Sequence, residues 1–377
     1  MSTYDETVAA CALNKLFGDH PKQIFSQVEA AGSALALFEE KLDRSQLDWA
    51  VRELENVRKG GFRFLSLFDE DYPPPLRDLP DPPLGIYLNG STSPAEIFTL
   101  RPMVAFVGTR DLSPYGRAWC QKLVQGLAQA HVQPTIVSGL ALGIDGISHQ
   151  TALNCGLPTI GVMATGIEEI YPRQHEKLAM DIVRSPGCAL LTDYPMHTAS
   201  LAWNFIRRNR IIAGLARAVV VVESKTKGGS LMTARYANDY GRELYAVPGR
   251  LDDVRSAGCN SLIEAQMAHI VTSPEQLVDA LGLGGPHQHR GQGGSWVTYQ
   301  AGDPPEVVLQ ARLTRLYGPG SPLVAIGLAI QAERGISAEE LSARLHRPYP
   351  EILAAIGSLE ADGLITTDLL GRCSLTV

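Results

Sequence analysis

The chain has 377 residues, a net charge of −7, and 45% hydrophobic against 19% charged residues. This length accommodates two or three domains, and the composition is that of an ordinary globular protein. No apolar run reaches the roughly 20 residues that a membrane-spanning helix needs, and the first residues lack the apolar segment of a secretory signal. We therefore expect a cytoplasmic protein with no membrane partner.

The six cysteines are far apart, and no two of them form a C-x-x-C pair. This spacing excludes an obvious zinc ribbon and predicts reduced, mostly buried thiols. No residues have the spacing of metal ligands, so we expect no metal site.

A basic segment interrupts the acidic average. Between Arg207 and Arg255 the sequence has ten Lys or Arg and five Asp or Glu, which gives a local charge of +5. A basic patch on an acidic protein indicates a polyanionic partner, because the local field decides where a phosphate binds. For this window alone, a solvated charged surface is the alternative.

The N-terminal region is predicted to be helical. Leu47, Val51 and Leu54 recur at helical spacing, and similar patterns precede them. The proline-rich stretches Tyr72–Leu76 and Asp81–Leu84 follow as a connector that cannot be helix interior.

Six short apolar runs alternate with helical segments in the centre of the chain. They are Val104–Val107, Thr135–Val137, Thr159–Val162, Ala189–Leu191, Val219–Val222 and Leu244–Val247. Strands that are buried on both faces and separated by helices predict an α/β fold with a Rossmann-like (extended) parallel sheet. Such sheets bind ligands at the carboxyl ends of their strands, so the loops after Val107, Val137, Met163 and Val222 form the predicted functional rim.

The C-terminal part of the chain begins with a segment rich in Gly, which predicts a flexible linker over 284–305. Helical patterning then resumes and ends in two strand-like runs, Leu364–Thr367 and Arg372–Thr376. This order is typical of a winged-helix module. The predicted domains are therefore a helical domain (1–65), a Rossmann-like domain (66–283), the linker and a winged-helix module (306–377).

Glycine turns follow the first two predicted strands. Gly108 lets the backbone approach a ligand, and Arg110 offers a guanidinium fork for a phosphate. The segment Ser138–Gly146 is neither G-x-G-x-x-G nor G-x-x-x-x-G-K-[ST], which disfavours a dinucleotide cofactor and a Walker-type NTPase. Asp145 is expected to cap the next helix, and His149 to be structural.

A helix over Phe205–Leu215 carries three arginines. On a helical wheel, Arg207 and Arg210 project roughly opposite the buried stripe, whereas Arg208 falls on it. Arg208 is therefore either an internal ion-pair partner or a residue that reaches into a groove. Phe205 adds an aromatic face for base stacking, which is how unpaired strands are held.

The valine run Val219–Val222 leads into Lys227-Gly228-Gly-Ser230 and a helix that begins near Ser230. Exposed N–H groups at a helix start, the helix dipole and Lys227 together predict a phosphate site. The pattern does not specify which phosphate compound binds.

The blocks Gly108–Arg110, Ser138–Asp145, Tyr171–Arg173, Phe205–Gly214 and Lys227–Ala234 resemble, in order and spacing, the DNA-processing protein A family (DprA, also called Smf). The resemblance covers nearly the whole chain. It implies a bacterial protein that binds and protects incoming single-stranded DNA during natural transformation and loads the RecA recombinase on it. It further implies a homodimer, single-strand-binding protein as a further partner, an N-terminal domain of sterile-alpha-motif (SAM) type and no established catalytic activity.

The resemblance also assigns DNA contacts by motif match, to Arg110, Ser138, Gly139, Phe205, Arg208, Asn209, Arg210, Lys227 and Ser230. Gly108, Arg207 and Gly228 complete the predicted DNA-binding set from their place in the same motifs. Two positions depart from the family pattern. Leu142 stands where many members have arginine, and Gly228 replaces a common serine.

An enzyme of the phosphoribohydrolase type is the alternative, because such enzymes also use Gly-rich phosphate loops on a Rossmann-like sheet. Its general acid or base would have to be Glu223 or Asp145, and neither has a carboxylate or histidine partner evident in the sequence. An NAD-dependent oxidoreductase is disfavoured further, since the fingerprint glycines and the ribose-binding acid are absent. We therefore expect a protein that is not an enzyme and has no cofactor.

The C-terminal module is predicted to add little DNA affinity. Residues 306–377 include eight acidic and six basic residues, and the expected recognition helix near Glu351–Leu359 has no Lys or Arg. Because major-groove reading normally uses such residues, we expect a protein-interaction or accessory module.

Overall fold

The structure, a computed structural model, describes residues 3–18, 20–41 and 44–284 and a set of shorter C-terminal segments. These segments are residues 289–290, 296–297, 309–310, 313–314, 317–318, 320–333, 335–361, 364–368 and 371–375. The chain divides into two compact units, Met1–Gly284 and Gly285–Val377. Within the described residues, no helix is long and apolar enough to cross a bilayer.

The first unit begins with four helices, as the sequence predicts. They are α1 (Thr3–Phe17), α2 (Pro21–Ala31), α3 (Ala34–Lys41) and α4 (Arg44–Lys59). Their apolar residues, such as Val8, Leu13 and Leu37, belong to the same hydrophobic core as one face of the sheet. The predicted domain boundary after residue 65 falls inside strand β1 (Arg63–Ser66), and the domain limits stay predictions.

The proline-rich connector contributes structure of its own. Pro74 and Pro75 occupy the first positions of a one-turn helix, α5 (Pro74–Arg77), where a missing N–H costs nothing. Strand β2 (Gly85–Asn89) and helix α6 (Pro94–Thr99) follow. Strands β1 and β2 form the antiparallel edge of the sheet and were not predicted from the sequence.

The six predicted strands are confirmed, and a seventh, β9, joins them. The remaining elements are β3 (Met103–Gly108), α7 (Pro114–Ala128), β4 (Thr135–Ser138), α8 (Ile144–Asn154), β5 (Thr159–Val162), a 3-10 turn (Arg173–His175), α9 (Glu176–Arg184), β6 (Ala189–Thr192), α10 (Ala202–Leu215), β7 (Ala218–Glu223), α11 (Ser230–Asp239), β8 (Glu243–Ala246), α12 (Ala257–Glu264), β9 (His269–Ile270) and α13 (Pro274–Ala280).

The sheet has the strand order β1-β2-β6-β5-β4-β3-β7-β8-β9. Strands β3 to β9 pair in parallel, as predicted for a Rossmann-like core. The chain runs outward from β3 to β6 and then returns to place β7 beside β3. The connections after β3 and β7 therefore lead to opposite sides, which creates the crevice where open α/β sheets bind ligands.

Both faces of the sheet are covered. Along β3, Val104 and Phe106 belong to the core formed with α7, α8 and α13, whereas Met103, Ala105 and Val107 belong to the core formed with α10 and α11. This alternation explains why the strands are apolar throughout, since each side chain meets a helix layer.

Most of the predicted linker 284–305 lies outside the described residues. Within it, the two-residue strands β10 (His289–Arg290) and β11 (Trp296–Val297) pair antiparallel. The rest of the second unit contains α14 (Pro322–Ala332), β12 (Ile336–Ser337), α15 (Ala338–Leu345), α16 (Tyr349–Ala361), β13 (Ile365–Thr367) and β14 (Arg372–Leu375). The predicted C-terminal hairpin, β13 with β14, is confirmed, and β12 pairs with the other edge of β14.

Candidate nucleic-acid interface

A cleft of about 570 Å³ lies at the crevice between β3 and β7. Three segments line most of it: the loop after β3, the first half of α10, and the loop between β7 and α11. The lining residues include Gly108, Thr109, Arg110, Asp111, Asp145, Phe205, Ile206, Arg208, Asn209, Ser224, Lys225, Thr226, Lys227, Gly228, Gly229, Ser230 and Val254. Eight of the twelve predicted DNA-binding residues therefore share one cleft; Ser138, Gly139, Arg207 and Arg210 do not line it.

The predicted phosphate site lies in the loop after β7, which lines the cleft. The Gly228 N–H donates to the Lys225 carbonyl (3.0 Å), which closes a turn, and α11 begins at Ser230. The Ser230 hydroxyl is buried and donates to Ser224 Oγ (2.9 Å), so it fixes the loop from inside. Lys227 is exposed and forms no ion pair with any described residue, which leaves its ammonium available to a phosphate.

Gly228 has a steric role that the sequence analysis missed. A Cβ at this position would lie 2.5 Å from the Ser224 hydroxyl oxygen. The serine that is common in the family would therefore require the buried Ser224 side chain to shift.

The loop after β3 brings a second cation to the cleft. Arg110 is exposed, and its guanidinium carbon lies 4.8 Å from the centre of the Phe205 ring. This distance is within the range of a cation–π contact. Gly108 is required by close packing, because a Cβ there would lie 2.4 Å from Ile144 Cγ1 of α8.

Phe205 lies in a cluster of cations and aromatic rings. Its ring centre is 5.4 Å from that of Tyr171, which is 42% exposed, and 6.0 Å from the guanidinium carbon of Arg208. Asn209, one turn further along α10, donates from Nδ2 to the Gly229 carbonyl (3.3 Å) and so connects the helix to the phosphate loop. An aromatic face beside cations is the arrangement that holds unpaired bases.

Arg208 is an internal arginine at the floor of the cleft. It is buried, donates to the Val162 carbonyl, and donates from Nε to the Asn209 side chain (3.3 Å). Burial lowers the pKa of Arg208 to about 10, and Asp145 opposes that shift. Burial likewise raises the pKa of Asp145, and Arg208 opposes it. The two groups therefore stabilise each other's charge inside the protein.

Asp145 does not cap α8 as expected. Gly143 occupies the N-cap position, and Asp145 lies in the first turn, where its carboxylate accepts a hydrogen bond from the Ala141 N–H (3.4 Å). The cation that acts most strongly on this carboxylate is Arg208 of α10, which lies 63 positions later in the chain. His149 is buried and bonded to the Gly139 carbonyl and the Thr159 hydroxyl, so its structural assignment is confirmed.

Ser138 and Gly139 lie beneath the cleft. The buried Ser138 hydroxyl donates to the Phe106 carbonyl (2.6 Å). At Gly139, a Cβ would lie 2.3 Å from Asp145 Oδ2 and 2.6 Å from Arg208 Nη2. Glycine is therefore required here so that the carboxylate and the guanidinium can approach each other.

The helical-wheel prediction that Arg210 projects outward is wrong. Arg210 is 3% exposed and forms an ion pair with Asp193 (2.8 Å) and a longer one with Asp81 (3.9 Å). Burial opposes the charged form, but Asp193 and Asp81 outweigh it and raise the pKa of Arg210. The wheel failed because α10 packs against α5 as well as against the sheet, so both of its sides are covered.

Arg207 is half-buried and lies outside the cleft. Its guanidinium donates to the Gly18 carbonyl at the end of α1 and lies 4.8 Å from the ring centre of Trp203. Its side chain therefore lies on the outer side of the helix, as predicted, and contacts the N-terminal helical region.

Asp111 is a charged cleft residue that was not predicted from the sequence. Its carboxylate forms ion pairs with Lys225 (3.3 Å) and Arg255 (3.7 Å), so it joins the loop after β3 to the loop after β7. The sequence does show an acidic residue directly after Arg110 in this loop. The charge count covered only the segment from Arg207 to Arg255, so it did not include Asp111.

The fold and cleft together define a Rossmann-like protein with a cleft that contains cations at the switch point of its sheet. The sequence model of the family "DNA recombination-mediator protein A" matches residues 63–282. The chain therefore belongs to this family.

Two relatives are similar over much of the chain. Protein Smf of Escherichia coli is 36% identical over 300 residues, which are 78% of this chain and 73% of the relative. DNA processing protein DprA of Streptococcus pneumoniae is 37% identical over 217 residues, 58% of this chain and 73% of the relative.

Two solved structures are similar as well. The X-ray structure of DprA from Streptococcus pneumoniae has a TM-score of 0.58 and 30% identity, and the match covers 73% of this chain and 95% of that one. A structure of DNA processing protein A from Helicobacter pylori, described for its single-stranded DNA binding mode, has a TM-score of 0.52 and 29% identity; the match covers 58% of this chain and 95% of that one.

Proposed function

We propose that the protein binds single-stranded DNA in the cleft between β3 and β7 and acts as a recombination mediator. The observation that carries the proposal is the joint presence of the lysine–glycine loop Lys227–Ser230 at the start of α11 and an aromatic–cation cluster around Phe205 in one open cleft. Phosphate contacts without base-edge readout favour binding that does not depend on base sequence. The family membership and the Helicobacter pylori relative support the same ligand.

In this proposal the cleft residues have different roles. Lys227, Arg110 and the backbone N–H groups at the start of α11 hold phosphates, and Phe205 stacks on a base. Arg208, Ser138 and Gly139 shape the floor beneath them. Arg210 and Arg207 are left out of the proposed contact set, because their guanidinium groups are engaged with Asp193 and with the Gly18 carbonyl.

The same geometry disfavours the phosphoribohydrolase alternative. Glu223 accepts hydrogen bonds from the hydroxyl (2.5 Å) and the N–H (3.0 Å) of Ser113, the N-cap residue of α7. The buried Asp145 carboxylate lies near the Arg208 guanidinium, which stabilises its charge. Both carboxylates therefore have structural partners, and neither is free to act as a general base. We propose that the protein is not an enzyme.

The wider role belongs to the same proposal. We expect the protein to act in the cytoplasm on incoming single-stranded DNA, to load the RecA recombinase on it, and to form a homodimer. Among the described residues of the second unit, helices α14 to α16 and the three-stranded sheet favour a winged-helix module. A chain that ends at residue 284 is expected to bind single strands within about twofold of the full chain; a larger loss would show that this module contributes directly to DNA binding.

Lys227→Glu tests the proposed site. Labelled single and double strands are titrated at about 0.05 M and about 0.2 M salt, where phosphate-dominated affinities differ strongly. Lys227→Glu is expected to weaken single-strand binding about tenfold or more and to reduce the salt slope by about 0.7 for each phosphate that the variant no longer neutralises. Lys122→Glu is the matched control, because Lys122 is exposed on α7 and does not line the cleft.

Both substitutions are at exposed positions, so both variants are expected to fold. Circular dichroism checks that they do. Equal single-strand affinities for Lys227→Glu, Lys122→Glu and the wild type would contradict the proposed site. Release of free base from a nucleoside monophosphate by the wild type would instead establish the enzyme.

A further inference from the structure

A second groove, of about 660 Å³, lies on the same rim of the sheet beside the cleft. It extends from the loop after β3 across the start of α8 to the start of α9, so it lies at the carboxyl ends of β4 and β5. Arg110 and Asp111 line both the cleft and this groove. The two depressions are therefore contiguous, with Arg110 at their junction.

Two cations of this groove carry charge that no described carboxylate neutralises. Arg117 of α7 and Lys177 of α9 are exposed and line the groove, and neither forms an ion pair with another described residue. The opposing carboxylates are Asp111 and Asp181. Asp111 is already paired with two cations of the neighbouring loops. With Arg110 included, positive charge exceeds the unpaired negative charge along the groove, which favours a polyanion.

Two glycines allow the loops that line the groove to pack closely against each other. Gly143 has φ +85°, and a Cβ there would lie 2.1 Å from the Thr109 carbonyl oxygen. At Gly146, a Cβ would lie 2.5 Å from the His175 ring, which is held by a hydrogen bond to the Leu140 carbonyl (2.9 Å). The loops after β3, β4 and β5 therefore pack closely enough to leave a continuous floor.

The strand order sets the direction of a path along the rim. The strands β7, β3, β4 and β5 are consecutive neighbours in the sheet. At a spacing of about 4.8 Å between strands, the distance from β7 to β5 is about 14 Å. A ligand that runs across the strand ends meets the phosphate loop first, then Arg110, and then the cations of the groove.

We propose that a single DNA strand held in the cleft continues past Arg110 into this groove, where Arg117 and Lys177 bind the following phosphates. This inference rests on the proposed function, because it extends the same strand. Among the described residues that line the groove there is no Phe, Tyr or Trp, whereas the cleft contains Phe205. The groove therefore binds backbone rather than bases, and its contribution depends on strand length.

The test compares oligothymidylates of about 4 and about 20 nucleotides, lengths that bracket typical single-strand sites. Binding of each to the full chain is measured by fluorescence anisotropy near 0.15 M salt, where charges more than about 8 Å away are largely screened. Arg117→Glu and Lys177→Glu are each expected to weaken binding of the long strand about tenfold and to lower its salt slope by about 0.7. Binding of the short strand should change by less than about twofold.

A substitution that is expected to increase the affinity for the long strand provides a second test. Leu142 is 41% exposed and lines the groove, so Leu142→Arg adds a cation without removing a core residue. It is expected to tighten binding of the long strand several-fold and to steepen its salt slope, with the short strand unchanged. Lys122→Glu is again the matched control, on the same helix as Arg117 and outside both depressions.

The two proposals fail differently. If Lys227→Glu weakens both strands but the three groove variants leave the long strand unchanged, the groove is not part of the path. A loss for Arg117→Glu and Lys177→Glu that is equal on short and long strands would also overturn it. If Lys227→Glu has no effect on either strand, the proposed function itself is wrong.

Discussion

Gly139→Ala should destabilise the protein although it adds one methyl group. The new Cβ would lie 2.3 Å from Asp145 Oδ2 and 2.6 Å from Arg208 Nη2, and both side chains are buried. One of them must move, which strains the site and separates opposite charges that are partly stabilised by each other. Overpacking costs about 1–3 kcal/mol, and breaking a hydrogen bond of a buried charged group adds about 1.5–3 kcal/mol. Together these two costs predict that the free energy of unfolding falls by roughly 2.5–6 kcal/mol.

Gly229→Ala is the matched control for this change. Gly229 has φ −59°, and a Cβ there would have no heavy atom within 4 Å. The substitution should change stability by less than about 1 kcal/mol, and it can stabilise by restricting the unfolded chain. Both variants are measured by urea unfolding monitored by circular dichroism and tryptophan fluorescence. Equal unfolding midpoints for Gly139→Ala and Gly229→Ala would refute the steric reasoning about the floor of the cleft.

Three further substitutions probe buried and exposed charges. Arg210→Ala leaves the Asp193 carboxylate buried without its ion pair, so unfolding free energy should fall by about 3–5 kcal/mol in urea titrations; a loss below about 1 kcal/mol would contradict the assigned pair. Burial lowers the pKa of His149 to about 4 from an ordinary 6.5, so the unfolded chain takes up the proton first as pH falls. Stability should therefore drop by up to roughly 3 kcal/mol between about pH 6.5 and pH 4, and His149→Gln, unlike the exposed His131→Gln, should remove that part of the drop. Asp111→Asn should tighten binding of a single strand several-fold in anisotropy titrations, because the carboxylate competes with phosphate for two cations; weaker binding would show that Asp111 instead positions them.

The parallel core could be predicted from the sequence because the pattern of each strand lies within a few consecutive residues. Each of the six strands is an apolar run that ends in a glycine or polar turn, and burial on both faces makes the run continuous. The phosphate loop was predictable for the same reason, since a valine strand, Lys227-Gly-Gly and a helix start are adjacent in the chain.

The missing parts depend on distant contacts. Strand β1 pairs with β2, and β2 pairs with β6, about a hundred residues later in the chain, so no local pattern encodes that antiparallel edge. Arg210 pairs with Asp193, 17 positions earlier in the chain, and donates to the Asp81 carbonyl, 129 positions earlier, so a wheel drawn for one helix could not find its partners. Ser138 and Gly139 were assigned as contacts because a motif reports that residues are needed, without distinguishing the ligand surface from its support.

The links between the loops after β3 and β7 have a kinetic consequence. The Thr109 N–H donates to the Glu223 carbonyl (2.8 Å), while the Glu223 side chain accepts from Ser113 at the start of α7. Glu223 therefore connects both walls of the cleft in the folded protein. Ligand binding then does not have to order these walls. Association can then be limited by diffusion and electrostatic steering, and affinity differences among ligands should reside mainly in their dissociation rates.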